Sequence, residues 1–300
     1  MKLFRFGPAG EEKPGAFLES GEQVDVSSFG EDFSQEFFAK DGMLRLKKWL
    51  SSNGRHCPVL DKIERYGPPL VNPSKIICIG LNYSDHAKET GAAVPREPVI
   101  FFKSTTAIVG PNDAVIIPKN SRKTDWEVEL AFVIGRRASY VEESEADQYI
   151  EGYMLHNDYS EREFQIERGG QWVKGKSCDS FAPIGPWLVS SDVVPEVQNL
   201  RLWLTVNGKI MQDGNTANMI FRVPFLLSYL SQFMTLLPGD IVSTGTPAGV
   251  GLGQKPEPFY LKPGDIVELG IDGLGSARQE LIAWESWKEK NESIPFNNKN

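Results

Sequence analysis

The most regular pattern in the chain is a series of short apolar runs separated by turns rich in Gly, Pro, Asn and Asp. Runs of this length, bounded by such turns, are typical of β-strands. They occur at 76–79, 99–102, 114–117, 128–134, 200–206, 241–244 and 266–269. The pattern predicts a β-dominated domain over residues 74–285.

The first part of the chain has a different pattern. Residues 1–73 mix short apolar segments with charged and glycine-rich stretches, and Leu44, Trp49 and Leu50 have helical spacing. We therefore predict a small α+β domain that ends at the prolines before residue 74. The overall class is α+β with a predominance of strands, and the polar residues 286–300 predict a disordered tail.

Composition excludes several classes of protein. With 300 residues and 40% hydrophobic content, the chain can bury a full-sized core. The net charge of -8, without a basic cluster, argues against a nucleic acid partner. Three cysteines without a Cys-x-x-Cys pair indicate neither a disulfide framework nor a zinc site. No signal-like or bilayer-length apolar segment is present, so we predict a cytoplasmic protein that does not bind membranes.

Two glutamates alternate with apolar residues at the start of a predicted strand. Because side chains alternate between the faces of a strand, Glu127 and Glu129 share one face and Trp126, Val128 and Leu130 share the other. The two carboxylates either converge on a ligand or form the solvent-exposed side of a half-buried strand.

A third acid follows another apolar strand. If residues 159–165 form a helical turn, Asp158, Arg162 and Gln165 lie on one face at positions i, i+4 and i+7. Asp158 then either caps this turn or binds a metal. Three carboxylates favour Mg²⁺, Mn²⁺ or Ca²⁺ over zinc.

A candidate general base lies in residues 84–91, which resemble a short helix capped by Ser84 and ended by Gly91. In such a helix, His86 and Glu89 are neighbours at i and i+3. A histidine beside a carboxylate can deprotonate water. The alternative is an exposed ion pair on the helix surface.

Two glycine-rich loops suggest anion binding. Residues 170–177 match the phosphate-loop pattern, but a polar segment precedes them and Pro183 and Pro186 follow, so we reject nucleotide binding. Residues 244–251 follow a strand, and their amides and the Thr246 hydroxyl could receive an anionic group. A tight structural loop explains their composition equally well.

Together these segments resemble the fumarylacetoacetate hydrolase family over about residues 74–280. The resemblance lies in the order of six motifs: Gly80-x-Asn82-Tyr83-x-x-His86, Glu127-x-Glu129, Asp158-x-x-x-Arg162-x-x-Gln165, Gly175-Lys176-Ser177, Asn207-Gly208 and Thr244-Gly245-Thr246-Pro247. It implies a mixed β-roll, a homodimer and a lid that carries His86 and Glu89. It also implies a divalent metal on Glu127, Glu129 and Asp158, and places Lys176, Arg162, Gln165, Thr246 and Tyr83 against substrate.

Within the family, the sequence is most similar to bacterial hydrolases of 2,4-diketo-3-deoxy sugar acids, in the branch named for L-rhamnonate and L-fuconate. This resemblance predicts metal-dependent cleavage of a C–C bond in a small anionic oxo acid, with release of pyruvate. His86 would activate water, Lys176 and Gln165 would stabilise the oxyanion, and Arg162 and Thr246 would orient substrate. The alternatives are decarboxylation of an oxaloacetate-like acid, isomerisation of a diene-dioate, ureidoglycolate cleavage, and metabolite binding without catalysis.

Overall fold

The computed structural model describes residues 1–91, 93–194 and 196–291. The strands are β1 (Lys2–Phe6), β2 (Lys13–Phe17), β3 (Gln23–Asp25), β4 (Tyr66–Gly67), β5 (Ile76–Gly80), β6 (Val99–Lys103), β7 (Ile108–Val109), β8 (Val115–Ile117), β9 (Thr124–Asp125), β10 (Val128–Ile134), β11 (Ile150–Asn157), β12 (Ser160–Glu161), β13 (Ala182–Pro183), β14 (Leu188–Ser190), β15 (Arg201–Val206), β16 (Lys209–Asn215), β17 (Ile241–Ser243), β18 (Ile266–Ile271) and β19 (Gly275–Ala283). The helices are α1 (Gln35–Ala39), α2 (Gly42–Asn53), α3 (Ser84–Thr90), α4 (Val173–Lys176), α5 (Val223–Phe233) and α6 (Trp284–Asn291), with a π-helical turn at Glu163–Glu167.

Two mixed sheets form most of the protein. The larger has the strand order β3-β2-β1-β14-β11-β10-β17-β5-β6, and the smaller has the order β16-β15-β18-β19-β8. Strand β10 lies between β11 and β17, and all seven of its residues are buried. Burial on both faces explains its nearly continuous apolar sequence. The predicted α+β fold with many strands is confirmed.

The predicted elements correspond closely to observed ones. Each apolar run that we listed contains or overlaps a strand, and Leu44, Trp49 and Leu50, for which we noted helical spacing, all lie in α2. Strand β1 pairs with β14, so the larger sheet crosses the predicted domain boundary at residue 73, and that boundary remains a prediction. The first six residues of the predicted tail belong to α6, and residues 292–300 lie outside the described residues.

The hypothesis that residues 159–165 form a helical turn is wrong for the first half of this segment. Ser160 and Glu161 form β12, which pairs with β9, and the π-helical turn begins only at Glu163. The amide of Asp158 donates to the carbonyl of Glu127 at 2.9 Å, so this acid belongs to a strand connection and does not cap a helix. Backbone pairing with a distant segment has overridden the local helical spacing.

The phosphate-loop match is also explained by the fold. The preceding segment is the π-helical turn rather than a buried strand, and α4 has only four residues. A Cβ on Gly175 would lie 2.4 Å from the carbonyl oxygen of Glu161, so glycine is required here for close packing. Among the described residues, no helix is long and apolar enough to cross a membrane.

Candidate metal centre and active site

Three carboxylates meet where β10 and β11 pair. The antiparallel register places Val128 opposite Asn157, which brings the acids on either side of these residues together. One oxygen from each of Glu127, Glu129 and Asp158 lies within 4.8 Å of the others. Their residues are only 6%, 1% and 0% exposed. This burial excludes a solvent-exposed strand face.

Two lysines neutralise part of this charge. The Nζ atom of Lys176 lies 2.8 Å from Glu127 Oε2 and 2.9 Å from Asp158 Oδ2. The Nζ atom of Lys103 lies 2.5 Å from Asp158 Oδ1. Burial raises the pKa of Asp158, but the charges of Lys103 and Lys176 outweigh it and hold that pKa below its usual range. Asp158 is therefore a stable anion.

Glu129 has a different environment. Its Oε2 atom accepts hydrogen bonds from the Ser243 hydroxyl at 2.5 Å and from the Gly245 amide at 3.0 Å. Burial, together with the charges of Asp158 and Glu127, raises its pKa well above the usual value. Among the described ion pairs, Lys103, Lys176 and Arg162 pair with Asp158 and Glu127 and none pairs with Glu129, whose carboxylate is therefore exposed to the repulsion of the other two. A divalent cation would relieve this repulsion, and the three oxygen donors suit Mg²⁺, Mn²⁺ or Ca²⁺.

Arg162 links the triad to a fourth acid, Asp125. Its Nη2 atom lies 2.7 Å from Asp125 Oδ2 and 2.8 Å from Glu127 Oε1. Its Nη1 atom donates to the side-chain oxygen of Gln165 at 3.0 Å, which leaves the Gln165 amide nitrogen as the donor available to a ligand. Arg162 thereby fixes both Glu127 and Gln165.

The proposed base pair is formed on α3. The Nδ1 atom of His86 lies 3.5 Å from Glu89 Oε2, and His86 is only 7% exposed. Both Glu89 oxygens lie 3.0 Å from the amide nitrogen of Gly249. Burial raises the pKa of Glu89, but its hydrogen bonds to His86 and Gly249 lower it to a greater extent. An exposed ion pair on the helix surface is excluded.

The loop at residues 244–251 uses its amides for the protein's own carboxylates. Gly245 donates to Glu129, Gly249 donates to Glu89, and the Gly251 amide donates to Asp125 at 2.6 Å. Gly245 and Gly249 have φ angles of +94° and +109°, a region that favours glycine.

The Thr246 hydroxyl is likewise engaged, because it donates to the Val128 carbonyl at 2.9 Å and accepts from Gln212. Donation from this hydroxyl to an anionic group would require the bond to Val128 to break.

A cavity of about 180 Å³ opens over the site. Its lining includes most of the predicted residues: His86, Glu127, Glu129, Arg162, Gln165, Lys176 and Thr246. Asp158 and Glu89 lie behind this lining and contact it through Lys176 and His86. Tyr83 is fully buried and does not belong to the described lining, so its predicted contact with substrate remains a prediction.

Several supporting residues of the site were not predicted from the sequence. Lys103 ends the apolar strand β6, and a lysine on the same strand face as Phe101 was an available signal. His156 lies opposite Glu129 in the β10–β11 register, and its Nδ1 atom is 2.7 Å from the Ser243 hydroxyl oxygen. Burial lowers the pKa of His156 to about 3, so the neutral ring orients the hydroxyl that donates to Glu129.

Comparisons with known proteins agree with this architecture. A protein from Burkholderia cenocepacia that carries only the general name of a hydrolase is 51% identical over 279 residues, which cover 93% of this chain and 98% of that protein. The solved fumarylacetoacetate hydrolase from Exiguobacterium antarcticum is 33% identical with a TM-score of 0.81, and the match covers 94% of this chain and 99% of that one.

A third comparison includes bound ligands. The solved maleylpyruvate hydrolase from Sphingobium sp. SYK-6, in complex with a manganese(II) ion and pyruvate, is 26% identical with a TM-score of 0.78. The match covers 94% of this chain and 99% of that one. The family model described as the C-terminal part of fumarylacetoacetate (FAA) hydrolase matches residues 75–282. The chain belongs to the fumarylacetoacetate hydrolase family.

Proposed function

We propose that this protein is a divalent-metal-dependent hydrolase that cleaves the C3–C4 bond of a 2,4-dioxo acid, of the acylpyruvate or 2,4-diketo-3-deoxy sugar acid type, to pyruvate and a carboxylic acid. The observation that carries the proposal is the buried triad of Glu127, Glu129 and Asp158 in the wall of a cavity that His86 also lines. The maleylpyruvate hydrolase with manganese and pyruvate supports this substrate class.

Glu127, Glu129 and Asp158 would hold Mg²⁺ or Mn²⁺. When bound, such an ion acts as a Lewis acid toward the carboxylate and 2-oxo group of the substrate. Arg162 keeps Glu127 in place, and Lys103 keeps Asp158 in place. The side chains are therefore fixed before substrate enters, which reduces the cost of orienting it.

His86 supplies the base in this proposal. Its ring takes a proton from water while Glu89 orients and stabilises the ring, and the water oxygen forms a bond to C4. Lys176 uses two of its three N–H groups for Glu127 and Asp158, so the third can donate to the oxyanion beside Gln165.

Collapse of the tetrahedral oxyanion then breaks the C3–C4 bond. The bonding pair moves to C3 of the departing pyruvate enolate, and C4 becomes the carboxyl carbon of the new carboxylic acid. The proton held by His86 returns to C3. The net reaction consumes one water molecule and needs no oxidant or reductant.

The test is pyruvate release from acylpyruvates and 2,4-diketo-3-deoxy sugar acids, followed with lactate dehydrogenase. We expect turnover with Mg²⁺ or Mn²⁺ and none after chelation, and Glu127→Ala serves as the metal-site control. Oxaloacetate is measured alongside. If only oxaloacetate is consumed, the protein is a decarboxylase and His86 has no role in water attack.

We also propose a homodimer, as the family resemblance implies. Light scattering on the full chain should return the mass of two chains.

A further inference from the structure

The walls of the cavity beyond the triad differ chemically from the triad itself. Six described lining residues carry apolar side chains: Ile79, Leu81, Phe101, Ile166, Trp172 and Leu252. Apart from the indole N–H of Trp172, these side chains offer no hydrogen-bonding groups to a ligand. The part of a substrate that extends past the metal ligands therefore meets a largely hydrophobic surface.

An aromatic corner is the best defined part of this surface. The rings of Phe101 and Trp172 meet edge to face, with centroids 5.3 Å apart. The Trp172 ring lies against the backbone of Gly80, where an added Cβ would be 2.6 Å from the ring. Gly80 thus provides the space in which Trp172 sits.

This corner adjoins the catalytic groups. The Lys176 Nζ atom, which contacts Glu127 and Asp158, lies 5.1 Å from the centroid of the Phe101 ring. Phe101 is two residues before Lys103 on β6, so both side chains lie on the strand face toward the triad. A substrate held at the triad would place its next few atoms against this corner.

The cations of the lining are already paired. Arg162 lies within 2.8 Å of Asp125 and Glu127, and Lys176 lies within 2.9 Å of Glu127 and Asp158. In the part of the lining that the structure describes, every lysine and arginine therefore has two acidic partners. A second substrate carboxylate would lose water without gaining a dedicated positive charge, which is unfavourable.

We infer that the substrate is a monocarboxylate whose acyl group is hydrophobic, such as a branched alkyl or phenyl acylpyruvate. This inference rests on the proposed function and narrows it. Dicarboxylic acylpyruvates and polyhydroxylated sugar acids should be poor substrates. Their distal carboxylate or hydroxyl groups would face Phe101 and Leu252, which offer no hydrogen-bond partners, and Trp172, which offers a single N–H donor.

Binding is tested first with two 2-oxo acids that have no 4-oxo group and cannot be cleaved. Calorimetry on the Mn²⁺-loaded full chain compares 2-oxo-4-phenylbutanoate with 2-oxoglutarate. We expect the phenyl compound to bind at least about tenfold more tightly, the range for burial of apolar groups in a fitted pocket. Equal affinity, or tighter binding of 2-oxoglutarate, would overturn the inference.

Turnover then separates the inference from the proposed function. We compare kcat/KM for benzoylpyruvate and trimethylacetylpyruvate with the values for fumarylpyruvate and a 2,4-diketo-3-deoxy sugar acid. Preference for the hydrophobic pair supports the inference, and preference for the polar pair overturns it while the hydrolase assignment stands. If none is cleaved although 2-oxo-4-phenylbutanoate binds more tightly, the proposed reaction fails and the hydrophobic specificity holds.

Two variants test which residues of the cavity wall set the substrate specificity. Trp172→Ala should remove about tenfold of the preference for phenyl over methyl acyl groups, while the exposed Phe233→Ala should leave it unchanged. Ile166 is 51% exposed, so Ile166→Lys should fold normally and raise the relative affinity for 2-oxoglutarate. If Ile166→Lys folds and leaves the ratio of the two affinities unchanged, this wall does not set specificity.

Discussion

The metal-ligand end of the cavity and the His86 end are held in different ways. At the triad, each of Asp158 and Glu127 contacts two buried cationic side chains, and the strands β10 and β11 carry the ligands or directly adjoin them. At the other end, Glu89 accepts a hydrogen bond from the Gly249 amide and lies beside His86 on the seven-residue helix α3. Buried charge pairs fix two of the three carboxylates in the first region, and a backbone amide holds the carboxylate of the second.

This difference suggests that the two regions have separate roles in the site. A metal site requires fixed ligand positions, whereas a group that must admit water and substrate benefits from weaker attachment. One loop connects the two regions, since Gly245 donates to Glu129 and Gly249 donates to Glu89. The following predictions test whether the two regions act separately, in order of expected effect on turnover.

The largest effect should come from the triad. Asp158→Asn and Glu129→Gln should each reduce Mn²⁺-dependent turnover by roughly 1,000-fold, because a Lewis-acid metal contributes several kcal/mol to such reactions. Metal content by mass spectrometry and pyruvate release measure this loss. Normal metal content with full activity in either variant would refute the ligand assignment.

The same two variants should differ in stability. Asp158→Asn leaves Lys103 and Lys176 without a shared anion, so we expect a loss of about 3 kcal/mol in the free energy of unfolding without metal. In Glu129→Gln, the new side-chain oxygen can accept from Ser243 and Gly245, so the change should stay below about 1 kcal/mol. Urea unfolding of the metal-free proteins measures both, and equal losses would contradict the difference in their environments.

At the second region, His86→Ala should lower kcat by about 100-fold or more, the usual contribution of a general base. Mn²⁺ affinity should change less than twofold, since the described partner of His86 is Glu89 and not a carboxylate of the triad. Calorimetric metal titration and steady-state kinetics test the two parts separately. A matching loss of metal affinity would show that the regions are not independent.

Glu89→Gln should have a smaller effect. The amide oxygen can still accept from the Gly249 amide, but the negative charge beside His86 is lost. We expect about a tenfold decrease in kcat, at the low end for a group that assists a base. Steady-state kinetics at saturating Mn²⁺ measure this decrease, and an unchanged kcat would exclude this role for Glu89.

A final prediction concerns stability rather than turnover, at a carboxylate outside both regions. Glu151 lies near the start of β11, far along the strand from Asp158, and burial, together with the negative charge of Asp41, raises its pKa from 4.5 to about 7. The folded state then binds more protons than the unfolded state between these values, so stability falls as pH rises from 4.5 to 7. We expect this fall in stability, on the order of 3 kcal/mol, to be absent in Glu151→Gln. Urea unfolding at pH 4.5 and 7.5 measures this difference.

Much of the site could be predicted from local sequence. Alternation along a strand placed Glu127 and Glu129 together, and helical spacing placed His86 beside Glu89. Both patterns depend only on backbone geometry, which neighbouring residues set. The same reasoning failed at residues 159–165, because pairing of β12 with β9 replaced the predicted helix.

The tertiary structure alone decided how the carboxylates are partnered. Lys103 reaches Asp158 across 55 positions, and Ser243 and Gly245 reach Glu129 across 114 and 116 positions. No local periodicity relates such distant residues, so only the order β11-β10-β17-β5-β6 in the larger sheet brings them together. The sequence thus determined which acids share a face, while the packing of sheets determined their charge balance and the hydrophobic wall beside them.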